Sequence, residues 1–211
     1  MLRIGSGTAK GRRLKSVTGE VRPTGSRVRG ALFDSIAPQI ANSTVIDLCA
    51  GTGSLGIEAL SRGARACLFV EKNRRAVRMI KDNLDQCGFD GDNKNVQGRV
   101  WLADVLVSLD YLATHSCSAN VILADPPYGT SLNQDIIRAV SELGLLSAGG
   151  ILVVEHHEDD PLKTPGKLKL LRQRKIGETT LSFFQDAREK SVLIETIFPI
   201  EIPPPASRFR Q

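Results

Sequence analysis

Between residues 44 and 155 the chain alternates short, almost wholly apolar runs with longer amphipathic ones. The apolar runs, 44–48, 66–71, 100–103, 120–124 and 150–155, have the length of strands. Residues 54–62, 73–86, 105–114 and 132–145 lie between them and predict helices; in the second, Ala76, Val77, Ile80 and Leu84 recur on one helical face. Strands apolar on both sides and joined by helices predict a parallel sheet covered on both faces. In such a doubly wound α/β sheet, ligands bind beyond the carboxyl ends of the strands. The pattern breaks after Glu155. Residues 156–166 are polar, contain two prolines and read as a loop. Residues 168–176 and 179–185, separated by Gly177-Glu178, predict an antiparallel hairpin at the sheet edge. Residues 191–200 form another β-like run without an assigned place, and Pro203-Pro204-Pro205 closes the predicted ordered structure.

Composition narrows the class. The 211 residues suit one domain with a small appendage, and 41% hydrophobic content supports a sizeable core. No apolar run approaches the roughly 20 residues that span a bilayer. The first residues lack the apolar stretch of a signal peptide, which predicts a cytoplasmic protein. The cysteines at 49, 67, 87 and 117 form no C-x-x-C pair and read as reduced, mostly buried thiols. The net charge of +5 is unevenly spread: residues 1–30 carry +7 and residues 31–211 carry −2. A local basic excess suits contact with a polyanion. Leu2, Ile4, Leu14, Val17 and Val21 punctuate that segment, so it can fold.

Asp47-Leu48-Cys49-Ala50-Gly51-Thr52-Gly53 follows the first predicted strand and opens a helix. Gly51 and Gly53 permit a sharp turn and a close approach to a ligand. With Gly56 the loop also fits G-x-G-x-x-G, a pattern shared with NAD-binding folds. Asp47 separates the two readings, because it suits a cationic sulfonium amino acid and repels a pyrophosphate. Glu71 ends the second strand, where it can accept hydrogen bonds from ribose hydroxyls. Asp104 ends the third, placed to meet an adenine amino group or simply to cap the next helix.

Asp125-Pro126-Pro127-Tyr128 ends the fourth strand. Two prolines fix an extended turn and remove local N–H donors. The Asp125 side chain and the Pro126 carbonyl can then both accept hydrogen bonds from one amino group, while Tyr128 offers a face on which a base stacks. An exocyclic amine of a base is a poor nucleophile, because its lone pair is delocalised into the ring. Holding it in line with a methyl donor supplies what it lacks.

Together these motifs resemble the Rossmann-type class I S-adenosylmethionine-dependent methyltransferases, in their amino-methylating branch. Arg3-Ile4-Gly5-Ser6-Gly7, Lys10-Gly11-Arg12-Arg13-Leu14, Arg22-Pro23-Thr24 and Arg27-Val28-Arg29-Gly30-Ala31-Leu32-Phe33 are similar to the start of the RsmD-type bacterial 16S rRNA guanine-N2 methyltransferases. So is the stretch from Leu55 to Ala64, and Ile176-Gly177-Glu178-Thr179-Thr180 resembles the family's hairpin. The resemblance covers residues 3–185. It implies a seven-stranded, mostly parallel sheet with a C-terminal antiparallel hairpin and a small N-terminal β-hairpin. The expected division is a basic extension at 1–23, a methyltransferase domain at 24–200 and a tail at 201–211.

By position, Asp47, Gly51, Gly53, Glu71 and Asp104 would hold S-adenosylmethionine, and Asp125, Pro126 and Tyr128 would hold the base. Arg12, Arg13, Arg22, Thr24 and Arg27, with Tyr128, would contact the rRNA. The expected partner is small-subunit rRNA, within a 30S particle or assembly intermediate, and the expected state a monomer. The sequence departs from the family pattern at Cys49, where an aromatic residue is frequent, and at Ile176 and Glu178, where Tyr and Asp are usual. The stretch 90–97 and the tail after Asp186 are longer than usual.

His156-His157 invites a metal, but adjacent residues on an extended segment point to opposite faces, so a polar loop is expected. Trp101 is expected in the core. Lys72-Asn73-Arg74-Arg75 is either a solvated face or a further phosphate contact. One alternative function is DNA or RNA adenine-N6 methylation, against which stands the short span between Tyr128 and Gly150, too small for a target-recognition insert. Another is a nucleotide- or RNA-binding module without catalysis. A third, methylation of a protein glutamine, usually has Asn at the position of Asp125.

Overall fold

The computed structural model describes residues 2–16, 25–90, 97–164 and 166–186. Two helices, α1 (Ser26–Ser35) and the short α2 (Ala37–Ile40), precede the alternating series. That series is β1 (Thr44–Leu48), α3 (Ser54–Ser61), β2 (Ala66–Glu71), α4 (Arg74–Cys87), β3 (Gln97–Leu102), α5 (Val105–Thr114), β4 (Ala119–Ala124), α6 (Leu132–Leu143) and β5 (Leu146–His157). The strands β6 (Leu168–Ile176) and β7 (Thr179–Asp186) follow. One seven-stranded sheet has the order β3-β2-β1-β4-β5-β7-β6. β1 to β5 are mutually parallel where they pair, and β7 runs antiparallel to both β5 and β6. This is the Rossmann-like methyltransferase arrangement, with the hairpin folded so that its second strand lies inside its first.

The period of two along each strand explains the two cores. Val45, Cys67, Phe69, Val121, Leu123, Ile151 and Val153 face α1, α3 and α4. Ile46, Leu48, Leu68, Val70, Ile122, Leu152 and Val154 face α5 and α6. Both faces are covered, so β1 and β2 are buried along their whole lengths. Trp101 is buried in the second core, edge-on to Tyr111. All four cysteines are free thiols, three of them buried.

Residues 2–14 form the small N-terminal β-hairpin. Ile4 donates to the Arg12 carbonyl, Gly11 to Ile4 and Leu14 to Leu2. Leu2, Ile4, Ala9 and Leu14 join the first core. The hairpin is fastened to α3 through Gly5 N–H on Glu58 Oε2 (2.7 Å), Ala9 N–H on Ser61 Oγ (2.9 Å) and Thr8 N–H on the Ser61 carbonyl (2.8 Å).

Several boundaries differ from the sequence reading. β3 starts at Gln97, three residues early; at the sheet edge its Gln97, Gly98 and Arg99 are only half-buried, so it has no apolar signature there. β5 starts at Leu146 rather than 150, its small residues masking a strand whose register to β4 shifts between Ala119 and Val121. β5 also continues through His156 and His157, which pair with Thr180 and Thr179 of β7. They are therefore strand residues and not a polar loop. The two rings diverge as extended backbone requires: His156 is buried against Ser182 Oγ (2.8 Å from Nε2), and His157 is half-buried. Residues 191–200 lie outside the described residues.

α3 approaches β2 closely at Gly56. An alanine Cβ there would lie 2.2 Å from Phe69 Cε1 and 2.6 Å from Cys67 Sγ. Gly56→Ala is expected to cost about 1–3 kcal/mol by overpacking and to lower Tm by roughly 3–10 °C. A thermal melt checks this, and an unchanged Tm would contradict the close approach.

Candidate active site

The strand order reverses between β1 and β4: the chain runs outward from β1 through β2 to β3, and from β4 through β5 the other way. A crevice opens at such a reversal, at the carboxyl ends of the strands. The residues entering it come from the ends of β1, β2 and β4. Asp125 N–H reaches across to the Leu48 carbonyl (3.4 Å), tying the two central strand ends together.

The glycine loop turns out of β1 through Cys49 (φ 57°), Gly51 (φ 56°) and Gly53 (φ 77°), all in the left-handed region. Gly53 also packs tightly, with Ile80 Cγ2 only 3.1 Å from where a Cβ would stand. Three carboxylates surround the loop. Asp47 is buried beneath it, and its Oδ2 accepts the Gly56 N–H at 2.9 Å. Burial raises its pKa well above the usual carboxylate range; the Gly56 bond opposes this, and the nearby Asp125 and Glu71 add to it. Glu71 clamps the loop to the next helix: Oε2 accepts from Gly51 N–H (2.9 Å) and Oε1 from Asn73 N–H (2.8 Å). Asn73 in turn caps α4, accepting from Arg75 and Ala76. Burial, followed by Glu71, Asp125 and Asp47, pushes the Cys49 thiol to about 12, so it is protonated at neutral pH.

Asp104 is exposed and caps α5, its Oδ1 accepting from Leu106 N–H (3.0 Å). The capping role is thus realised, beside the end of β3. Asn83, which the sequence reading passes over, braces the loop from behind. Its Nδ2 donates to the Thr52 carbonyl (3.0 Å) and the Lys15 carbonyl (3.1 Å), and its Oδ1 accepts from Lys15 N–H (2.8 Å). The available signal is one polar residue on the buried stripe of α4, among Ala76, Val77, Ile80, Leu84 and Cys87.

Asp125-Pro126-Pro127-Tyr128 leaves β4 directly beside this loop. Asp125 is half-buried, Pro126 buried, and Pro127 and Tyr128 exposed. Tyr128 is anchored at its tip: the hydroxyl donates to Glu155 Oε1 (3.2 Å) and shares a hydrogen bond with Thr179 Oγ1 (3.1 Å). His157 meets its ring edge-on, centroids 5.8 Å apart. Burial raises the phenol's pKa; the Thr179 bond opposes it and the Glu155 and Asp125 charges reinforce it. The tip is held while the residue as a whole remains 38% exposed. Sequence reasoning misses Glu155 and Thr179, because the β4–β5 pairing brings the first to Tyr128 and the β5–β7 pairing the second.

Of the residues expected to meet RNA, Arg12, Arg13 and Arg27 are exposed, whereas Arg22 and Thr24 lie outside the described residues. Arg12 also donates to the Gln86 carbonyl at the end of α4. One residue of the basic segment is not a surface cation. Arg29 is buried, faces Glu58 (3.4 Å) and donates to the Arg3 carbonyl, so it fastens α1 to α3 and to the hairpin. Lys72, Arg74, Arg75 and Arg78 are exposed at the start of α4. No group of three or more His, Cys, Asp or Glu among the described residues could hold a metal ion. No helix among them is long and apolar enough to cross a membrane.

The chain matches the protein family described as Conserved hypothetical protein 95 over residues 2–185. A Haemophilus influenzae protein named ribosomal RNA small subunit methyltransferase D is 32% identical over 188 residues, 88% of this chain and 94% of that one. Its Escherichia coli K12 namesake is 30% identical over 186 residues, 87% of this chain and 89% of that one. A solved structure of a hypothetical protein from Thermus thermophilus superposes with a TM-score of 0.75 at 30% identity, covering 87% of this chain and 98% of that one. The glycine loop, the paired strand ends and the family match over nearly the whole described chain lead to one conclusion: this protein belongs to the RsmD-type family, Conserved hypothetical protein 95.

Proposed function

We propose that this protein transfers the methyl group of S-adenosylmethionine to the exocyclic N2 amine of a guanine in small-subunit rRNA. The observation that carries this reading is the placement of Asp125-Pro126-Pro127-Tyr128 across the β1–β4 switch point from a glycine loop ringed by Asp47, Glu71 and Asp125. That donor set fits the cofactor: it consists of carboxyl groups that a nearby cation drives to the charged form, suited to a sulfonium and hostile to a pyrophosphate. The names of the curated relatives, ribosomal RNA small subunit methyltransferase D, support rRNA as the substrate class.

In this reading Glu71 takes the ribose hydroxyls, since each of its oxygens keeps acceptor capacity beyond its one backbone bond. Asp47 faces the cationic end, the backbone at Gly51 and Gly53 lets the cofactor approach, and Asp104 lies at the adenine end. Bound S-adenosylmethionine supplies an electrophilic methyl group. Asp125 and the Pro126 carbonyl orient the amine toward it, and Tyr128 stacks the base. Asp125 is also placed to receive the amine's proton. Arg12, Arg13, Arg22, Thr24 and Arg27, with the exposed start of α4, hold the rRNA backbone, so binding weakens steeply with salt. The amine is inaccessible in a stacked duplex, so the target nucleotide is unpaired or flipped. With no recognition insert, a folded rRNA or small-subunit particle supplies much of the specificity by its shape.

Isothermal titration tests the cofactor half of the proposal: S-adenosylmethionine binds and NAD does not. Absence of S-adenosylmethionine binding would overturn it. The raised pKa of Asp47 adds a pH signature. Above the ordinary carboxylate pKa of about 4 and below its raised value, buried Asp47 holds a proton. A nearby cation favours the charged form and expels that proton, so affinity rises with pH through this window. The Kd for S-adenosylmethionine is expected to fall as pH rises through this window, more than that for S-adenosylhomocysteine, which lacks the sulfonium. Asp47→Asn removes the difference; identical pH profiles for the two ligands in the wild type would contradict it.

A further inference from the structure

We infer that Glu155 reads the ring nitrogen beside the target amine and so makes the site select guanine; this rests on the reading of Asp125-Pro126-Pro127-Tyr128 as the segment that holds that amine. β4 and β5 are parallel neighbours with Ala124 opposite Val154. Asp125 and Glu155 are the next residues along the two strands, Asp125 just past the end of β4 and Glu155 still within β5. Leu123 and Val153, two positions earlier, share the core under α1 and α3, whereas Ala124 and Val154 share the opposite one. The alternation brings Asp125 and Glu155 to the first side, where Asp47 also lies. Tyr128 joins the pair: its hydroxyl donates to Glu155 Oε1, and both carboxylates are close enough to raise the phenol's pKa.

A purine stacked on the Tyr128 ring, with its amine turned to Asp125, therefore presents the next atom of its edge toward Glu155. The chemistry of that atom separates the bases. Guanine carries N1–H beside its N2 amine, two adjacent donors. Adenine carries the N1 lone pair beside its N6 amine, and cytosine the N3 lone pair beside its N4 amine. Two neighbouring carboxylates are purely acceptors when ionised, and together they match two adjacent donors only. A carboxylate has about four acceptor positions, so accepting the Tyr128 hydroxyl does not by itself exclude N1–H from the same group. Glu155 is only 5% exposed, and a lone pair pressed against a buried carboxylate is penalised far more than in water. Asp125 alone accepts any exocyclic amine; Glu155 beside it does not. Thr179 and Glu155 together fix the Tyr128 tip.

The test uses small-subunit particles assembled with 16S rRNA in which the guanine methylated by the wild-type enzyme is replaced by 2-aminopurine. That base keeps the N2 amine but has a lone pair at N1. Wild-type kcat/KM is expected to fall by about 100-fold or more on the analogue, the scale for a site left with an unmatched polar group. Glu155→Gln, whose carboxamide can donate to N1, is expected to lose activity on guanine and to narrow the guanine to 2-aminopurine ratio to less than about tenfold. Glu155→Asp, a withdrawn carboxylate, lowers activity on guanine but keeps the preference. S-adenosylmethionine affinity stays near wild type in both variants. The inference is overturned if the wild-type enzyme methylates the two bases equally well, or if Glu155→Gln keeps the full wild-type ratio. Should Glu155→Gln not fold, Glu155→Asp and the wild-type ratio decide: a shortened carboxylate with undiminished activity on guanine overturns the inference. No methyl transfer to any guanine by the wild-type enzyme overturns instead the reading on which it rests.

Discussion

Asp125→Ala is expected to reduce methyl transfer by about 10²–10⁴-fold, the range for loss of a positioned acid–base group, while S-adenosylmethionine affinity changes little. The asymmetry follows from where Asp125 stands. It leaves β4 on the far side of the switch point from the loop, and the contacts holding the glycine loop, at Gly51, Gly56 and Thr52, come from Glu71, Asp47 and Asn83. Truncation removes the acceptor that orients the amine and leaves the loop's own braces intact. Single-turnover transfer and isothermal titration on the same preparation check this. Equal loss of both would show that Asp125 belongs to the cofactor site.

Glu71→Gln is expected to give the mirror result. Its two oxygens accept separate backbone N–H groups, from Gly51 and Asn73. A carboxamide keeps one acceptor and turns an N–H donor toward the other N–H. Losing a hydrogen bond to a charged group costs about 1.5–3 kcal/mol, so S-adenosylmethionine affinity is expected to fall about 10- to 100-fold. Lost contacts to the ribose hydroxyls act in the same direction. Saturating cofactor should then restore much of the transfer rate, because Asp125 and Tyr128 are untouched. Unchanged affinity would show that Glu71 serves only as a clamp between the loop and α4.

The parts of the site legible in the sequence are those built from consecutive residues. Asp47 with its glycine loop, Glu71 at a strand end and Asp125-Pro126-Pro127-Tyr128 each form a local signature, and the strands 44–48 and 66–71 and the helix 105–114 occupy the spans their apolar patterns indicate. The parts that escape depend on pairing between distant segments. Glu155 reaches Tyr128 through the pairing of β5 with β4, and Thr179 reaches it because β7 inserts between β5 and β6. His156 reads as loop because polarity is the ordinary mark of a loop; β7 pairing and Ser182 make the polar ring compatible with burial. Arg29 counts as a surface cation in a charge sum because such sums carry no information about partners, and Glu58 lies 29 positions away on another helix. Asn83 is hidden inside a correctly expected helix, its importance set by Thr52 and Lys15 far along the chain. Of the two edge strands β3 is the less legible, because it begins with half-buried residues; β6 occupies its expected span 168–176 although Lys169, Arg172, Arg174 and Lys175 are exposed. Such charges discourage edge-to-edge pairing.

The central claim, amine methylation of a guanine in small-subunit rRNA, is tested most directly by incubating the protein with methyl-labelled S-adenosylmethionine and naked 16S rRNA, small-subunit particles or DNA, then digesting to nucleosides. The account predicts label in N2-methylguanosine, from rRNA or its particles alone. Label in N6-methyladenosine, in DNA or in protein would contradict it.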